Sequence, residues 1–101
     1  MKVIYIIGKY TDETEGQKIE NIIKAREKGE EYAKKGYAII CPHTNFKGHK
    51  EVIGYEKVMK ECFELIKRAD IVYVLNNYMA SKGSKREIRL AKKLGKKILY
   101  E

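Results

Sequence analysis

The chain has 101 residues, a net charge of +8 and an apolar share of 44%. Residues 1–101 make one domain with one core, and the regular apolar runs exclude a disordered tail. No stretch reaches the roughly 18 consecutive apolar residues of a membrane span.

Val3 to Ile7 is a continuous apolar run, as expected for a strand covered on both faces. It is too brief for the apolar stretch of a signal peptide, and Gly-Lys-Tyr-Thr-Asp-Glu follows it rather than small residues. It therefore reads as a first strand, in a cytoplasmic protein. Gly8 to Gly16 reads as a polar loop. Ile19 to Lys35 carries Ile19, Ile22, Ile23, Ala25, Tyr32 and Ala33 at helical spacing, with Gly36 as a stop. Tyr37 to Cys41 is a second strand, ended by Pro42, and His43 to Gly54 reads as a loop. Tyr55, Val58, Met59, Cys62, Phe63, Ile66 and Ala69 then repeat at steps of three and four, the cleanest helical pattern in the chain. Ile71 to Leu75 is a third strand, and Asn76 to Ala80 a loop. A last helix starts at Ser81 or Ser84 and runs to Leu94, and Lys97 to Tyr100 is a fourth strand.

This strand–helix alternation with short connections predicts an α/β fold. Its form is a three-layer, four-stranded parallel sheet, flavodoxin- or Rossmann-like, in the order 2-1-3-4. Strand order then reverses between strands one and three, and a ligand site is expected at their carboxyl ends. That crevice is predicted to hold Gly8, Lys9 and Tyr10 together with the segment from Asn76 to Glu87.

Glu87 is the first unusual residue. It lies on or beside the face of the last helix that buries Ile88, Ala91 and Leu94. A carboxylate there is costly to desolvate unless it is paired or used, and the crevice edge suits a nucleophile or an acid–base group. Ser84-Lys85-Arg86-Glu87 is equally a capping box, in which Glu87 only returns a hydrogen bond to the Ser84 amide. Ser81-Lys82-Gly83-Ser84 at the helix start, with cations nearby, could cradle an anion or be an ordinary polar turn. Gly8 permits close backbone approach to a ligand, or a tight turn. His43 could hydrogen-bond a base or sugar, or be an exposed bystander. Asn45 could bind or form a turn, and Tyr78 could stack on a base or simply cover the crevice.

Cys41 and Cys62 fall in different elements without a C-x-x-C, so they read as packed or free thiols. Nothing in the pattern calls for a metal or an organic cofactor. The lysines are spread through every helix and mixed with Glu, which reads as solvated helix surface rather than a nucleic-acid site.

Four segments together carry a family resemblance: Tyr5-Ile6-Ile7-Gly8-Lys9-Tyr10, Cys41-Pro42-His43-Thr44-Asn45, Ala69-Asp70-Ile71-Val72-Tyr73, and Ser81-x-Gly83-x-x-x-Glu87 with Ala91 and Gly95. Together they resemble the nucleoside 2-deoxyribosyltransferase-like superfamily, and more narrowly its small branch called DUF4406, over essentially the whole chain. The resemblance implies a homodimer or higher homo-oligomer that takes a nucleoside or nucleotide. In enzymes of that superfamily the Glu matching Glu87 attacks the anomeric carbon, and the glycosyl group passes to another base or to water. Residues matching Ser81 and Gly83 hold a 5'-phosphate or ribose hydroxyl, and the Tyr matching Tyr5 places the nucleophile.

One position departs from the pattern. Active members carry an Asp where this chain has Cys62, and a packed thiol is not a general acid at neutral pH. Glu61 and Glu64 flank it but are expected to point roughly 100° away to either side. Three functions follow as expectations: an N-glycosidase or deoxyribosyltransferase-like enzyme, a nucleotide-binding module without turnover, or a basic protein contacting nucleic acid. The apolar stripe of Tyr55, Met59 and Phe63 is also expected to mediate self-association.

Overall fold

The computed structural model describes residues 1–45 and 49–101. Its four strands are β1 (Val3–Ile7), β2 (Ala38–Ile40), β3 (Ile71–Val74) and β4 (Lys97–Tyr100), all parallel in the order β2-β1-β3-β4. The central strands are rich in Val, Ile and Tyr, residues that suit a pleated surface covered on both sides.

Side chains alternate across the sheet. Tyr5 and Ile7 of β1, with Val72 and Val74 of β3, face a layer made by α4 (Tyr55–Arg68) and α5 (Lys82–Lys93). Ile4, Ile6, Ile71, Tyr73 and Leu75 face the opposite layer, where α1 (Glu15–Lys34) contributes Ala25. This gives the expected three-layer, Rossmann-like arrangement. The alternation also sends Tyr5 toward α4 and α5, which matters for the site.

Several boundaries differ from the sequence expectations. The first helix starts at Glu15, not Ile19, because Thr14 caps it by accepting a hydrogen bond from the Gln17 amide at 3.1 Å. Its contact with the sheet runs through small residues, Ala25 and Gly29, while Ile19 and Ile23 are left exposed. The second strand is shorter than expected. Part of the stretch read as a loop is helical, in α2 (Pro42–Asn45) and α3 (His49–Ile53), and positions 46–48 of it lie outside the described residues. Pro42 opens α2, where its missing N–H is harmless and its φ already helical. Leu94, expected in the buried stripe, is 41% exposed because it caps the end of α5 instead of continuing it.

Gly8 ends β1 where the strand meets Leu75. A Cβ at position 8 would lie 2.5 Å from Leu75 Cδ1 and 3.2 Å from Asn77 Oδ1. Close packing of the two strand ends therefore requires glycine, and Asn77 Oδ1 accepts from the Lys9 amide at 2.9 Å to join the two loops.

Candidate active site

The last helix sets the geometry. Its N-cap is Ser81, whose Oγ accepts from the Ser84 amide at 3.1 Å. The alternative box beginning at Ser84 does not form, because Ser84 already lies inside the first turn. Glu87 is thereby turned inward beside Ile88 and Ala91, and only 8% of it is exposed. The Tyr5 hydroxyl, delivered from β1 by the strand alternation, donates a hydrogen bond to Glu87 Oε2. The Cys62 thiol of α4 is buried in the same cluster as Tyr5.

Burial dominates the electrostatics of this trio. It pushes the Glu87 carboxyl up to about 8, against the opposing pull of the Tyr5 hydrogen bond. Burial, then the neighbouring Glu87 charge, pushes the Cys62 thiol up to about 12. Tyr5 is also raised, by burial first and then by Glu87. At neutral pH the site therefore holds a protonated carboxyl, a neutral phenol and a neutral thiol.

A cavity of about 390 Å³ opens onto Glu87, within the range of small-molecule sites. Loops at the carboxyl ends of the strands form one side, with Gly8, Lys9, Tyr10 and His43. The start of α5 forms another, with Ser81, Gly83 and Ser84. The third wall is the face of α4 that carries Tyr55, Val58, Met59 and Cys62. A Cβ on Gly83 would meet Tyr55 Oη at 3.3 Å and Met59 Sδ at 3.5 Å, so this glycine lets the first turn of α5 lie against α4.

The structure thus gathers Tyr5, Gly8, Lys9, Tyr10, His43, Ser81, Gly83 and Glu87 at one place. It does not bring Asn45 or Tyr78 to the cavity wall. Asn45 is exposed on α2, and Tyr78 packs against the core and the Tyr100 ring at 5.9 Å. Sequence reasoning missed the wall made by α4, reading Tyr55 and Met59 as an outward stripe. Their spacing of three and seven residues from Cys62 already put them on its face. Met59 is buried, and the Arg86 guanidinium covers the Tyr55 and Phe63 rings.

His43 is buried rather than a bystander. Its Nε2 lies 3.1 Å from the Lys9 carbonyl oxygen, which can only accept, so Nε2 carries the hydrogen. Burial holds this imidazole below its usual range and therefore neutral. His43 Nδ1 and Ser84 Oγ are buried without a hydrogen-bond partner among the described residues. Lys9 pairs with Asp12 at 3.3 Å, and Lys50 reaches toward Thr11, so the rim cations lean on the loop after β1.

Fold and site together define a small parallel α/β protein with a buried carboxyl–phenol–thiol group at the carboxyl edge of its sheet. The chain belongs to the family described as a domain of unknown function, DUF4406, whose family model matches residues 2–100. Among curated proteins there is no match. No helix among the described residues is long and apolar enough to cross a membrane.

Proposed function

We propose that the cavity binds a nucleoside or nucleotide and that Glu87 is a glycosyl-accepting nucleophile. The protein would then be an N-glycosidase or deoxyribosyltransferase of the nucleoside 2-deoxyribosyltransferase-like kind. The observation that carries this reading is a buried carboxyl, bonded to Tyr5, on the wall of a ligand-sized cavity beside a helix start. In the proposed reaction ionised Glu87 attacks the anomeric carbon as the bond to the base breaks. The departing base keeps the electron pair and takes a proton from solvent. Water or a second base then displaces the glycosyl ester and frees the carboxylate. Tyr5 positions the nucleophile, while Ser81 and Gly83 hold a 5'-phosphate or sugar hydroxyl. Lys9, Tyr10 and His43 line the remaining wall.

A second reading, a nucleotide-binding module without turnover, is favoured by Cys62. A thiol at about 12 supplies no proton to a leaving base. One experiment separates the two. The protein is incubated with deoxynucleosides and their 5'-monophosphates, and free base is measured beside thermal shift. Base release that vanishes in Glu87→Gln supports the enzyme; a thermal shift without release supports the module. Binding unaffected by Ser81→Ala together with Gly83→Val would remove the site assignment from both. The proposal includes a cytoplasmic, self-associating protein, and sedimentation showing only monomer across a range of concentrations would remove the association.

A further inference from the structure

The lysines and arginines are not evenly dispersed once the chain is folded. All five exposed side chains of α5 are cations: Lys82, Lys85, Arg89, Lys92 and Lys93. At 100° per residue they share with Arg86 one arc of roughly 120°, along a helix about 18 Å long. The opposite arc carries the buried Ser84, Glu87, Ile88 and Ala91. Arg86 is held by α4, donating from both terminal nitrogens to Glu56 at 3.1 Å. The other five form no ion pair among the described residues.

A lysine-rich composition does not explain this. On α1, Arg26 pairs with Glu30 and Lys28 with Glu31, and on α4 Arg68 pairs with Glu64. By contrast, α5 has no exposed acid at all. The arrangement opposes folding in two ways. Lys85–Arg89 and Arg89–Lys93 are like charges four residues apart. Lys82 and Lys85 also sit at the positive end of the helix dipole. A row of cations held against both effects suits a partner that brings the negative charge.

We propose that the outer face of α5 binds the phosphodiester backbone of a nucleic acid, without reading its sequence. An anionic membrane surface fits less well, because a surface-lying helix inserts an apolar face and that of α5 is committed to the core. A protein partner fits less well because interface centres are depleted of lysine and anchored by aromatic groups, and this arc has none. Exposed lysine and arginine side chains with no carboxylate on the same face are what phosphate contacts use. The inference does not depend on the chemistry assigned to Glu87.

The test is fluorescence anisotropy of the whole chain with a labelled mixed-sequence duplex and a labelled single strand, over a salt series. Duplex binding is expected to weaken with a log–log salt slope of about −4, as four or five neutralised phosphates require. The triple variant Lys85→Glu, Arg89→Glu, Lys92→Glu should lose about a hundredfold in affinity at low salt, and the neutral triple to Gln about tenfold. The reversal Arg26→Glu, Lys34→Glu, Lys35→Glu on α1 and its C-cap removes the same net charge and should lose less than about fivefold. Equal losses from the two reversed faces would show that only overall charge matters, and would overturn the proposal. So would an absence of binding at low salt. Preferential binding to phosphatidylserine vesicles or to polyglutamate would also overturn it, assigning the face to another partner.

Discussion

Glu87 is a carboxyl whose burial holds its proton well above the usual carboxylate range. An unfolded chain ionises this carboxyl near 4.5, whereas the folded site keeps its proton up to about 8. Between those limits the native state binds a proton that the unfolded chain has lost, so stability falls as pH rises. The full span corresponds to a few kcal/mol. Urea titrations at pH 5 and pH 8.5 should show wild type losing that much relative to Glu87→Gln, which cannot ionise. A constant difference between the two proteins would contradict the burial of the carboxyl.

The same group sets the pH dependence of any turnover. In the proposed reaction only the carboxylate attacks, so kcat/KM should climb with pH and level off above about 8. A flat profile from pH 6 to 9 would remove Glu87 as the nucleophile. The two thiols offer a separate check. Burial raises both Cys41 and Cys62, and both are almost fully covered. A disulfide reagent should therefore label them only at the rate of unfolding, and rapid labelling of either in the native protein would contradict this packing.

At the scale of elements, Gly8 joins β1 to the neighbourhood of β3. Gly8→Ala should destabilise the protein by about 1–3 kcal/mol, the usual cost of overpacking a filled core. A change in urea midpoint too small to resolve would show that Leu75 yields without penalty. Strands and the two strongly amphipathic helices were legible in the sequence because their periods are strong, and Glu87 was legible as a carboxylate on an apolar face. Whether it capped its own helix was not legible. Ser81 and Ser84 are both acceptable caps, and only the packing of α5 chooses between them. The helical turns α2 and α3 escaped because helices that short are held by their surroundings rather than by an apolar stripe. The role of the face carrying Tyr55 and Met59 escaped for a related reason. A pattern of apolar residues shows that a face is covered, not whether protein or a cavity lies opposite.

For the molecule as a whole, the strand order was legible from alternation and short connections alone, and with it the edge of the sheet where the cavity lies. The charge distribution was not. Counting lysines helix by helix mixes Lys18 and Lys28, which pair with glutamates on α1, with those of α5 that share one arc without an acid, and only the folded helix shows that arc.

The placement of β1 between β2 and β3 has a consequence for how the chain acquires its shape. The earliest strand in the sequence is a central one, and its right-hand neighbour arrives only with Ile71. Tyr5 meets Glu87 across 82 residues, so loop-closure entropy is met before that contact offers any return. A chain lacking α5 would hold Tyr5 without its carboxyl and the cavity without one wall, so the pocket exists only in the fully folded molecule.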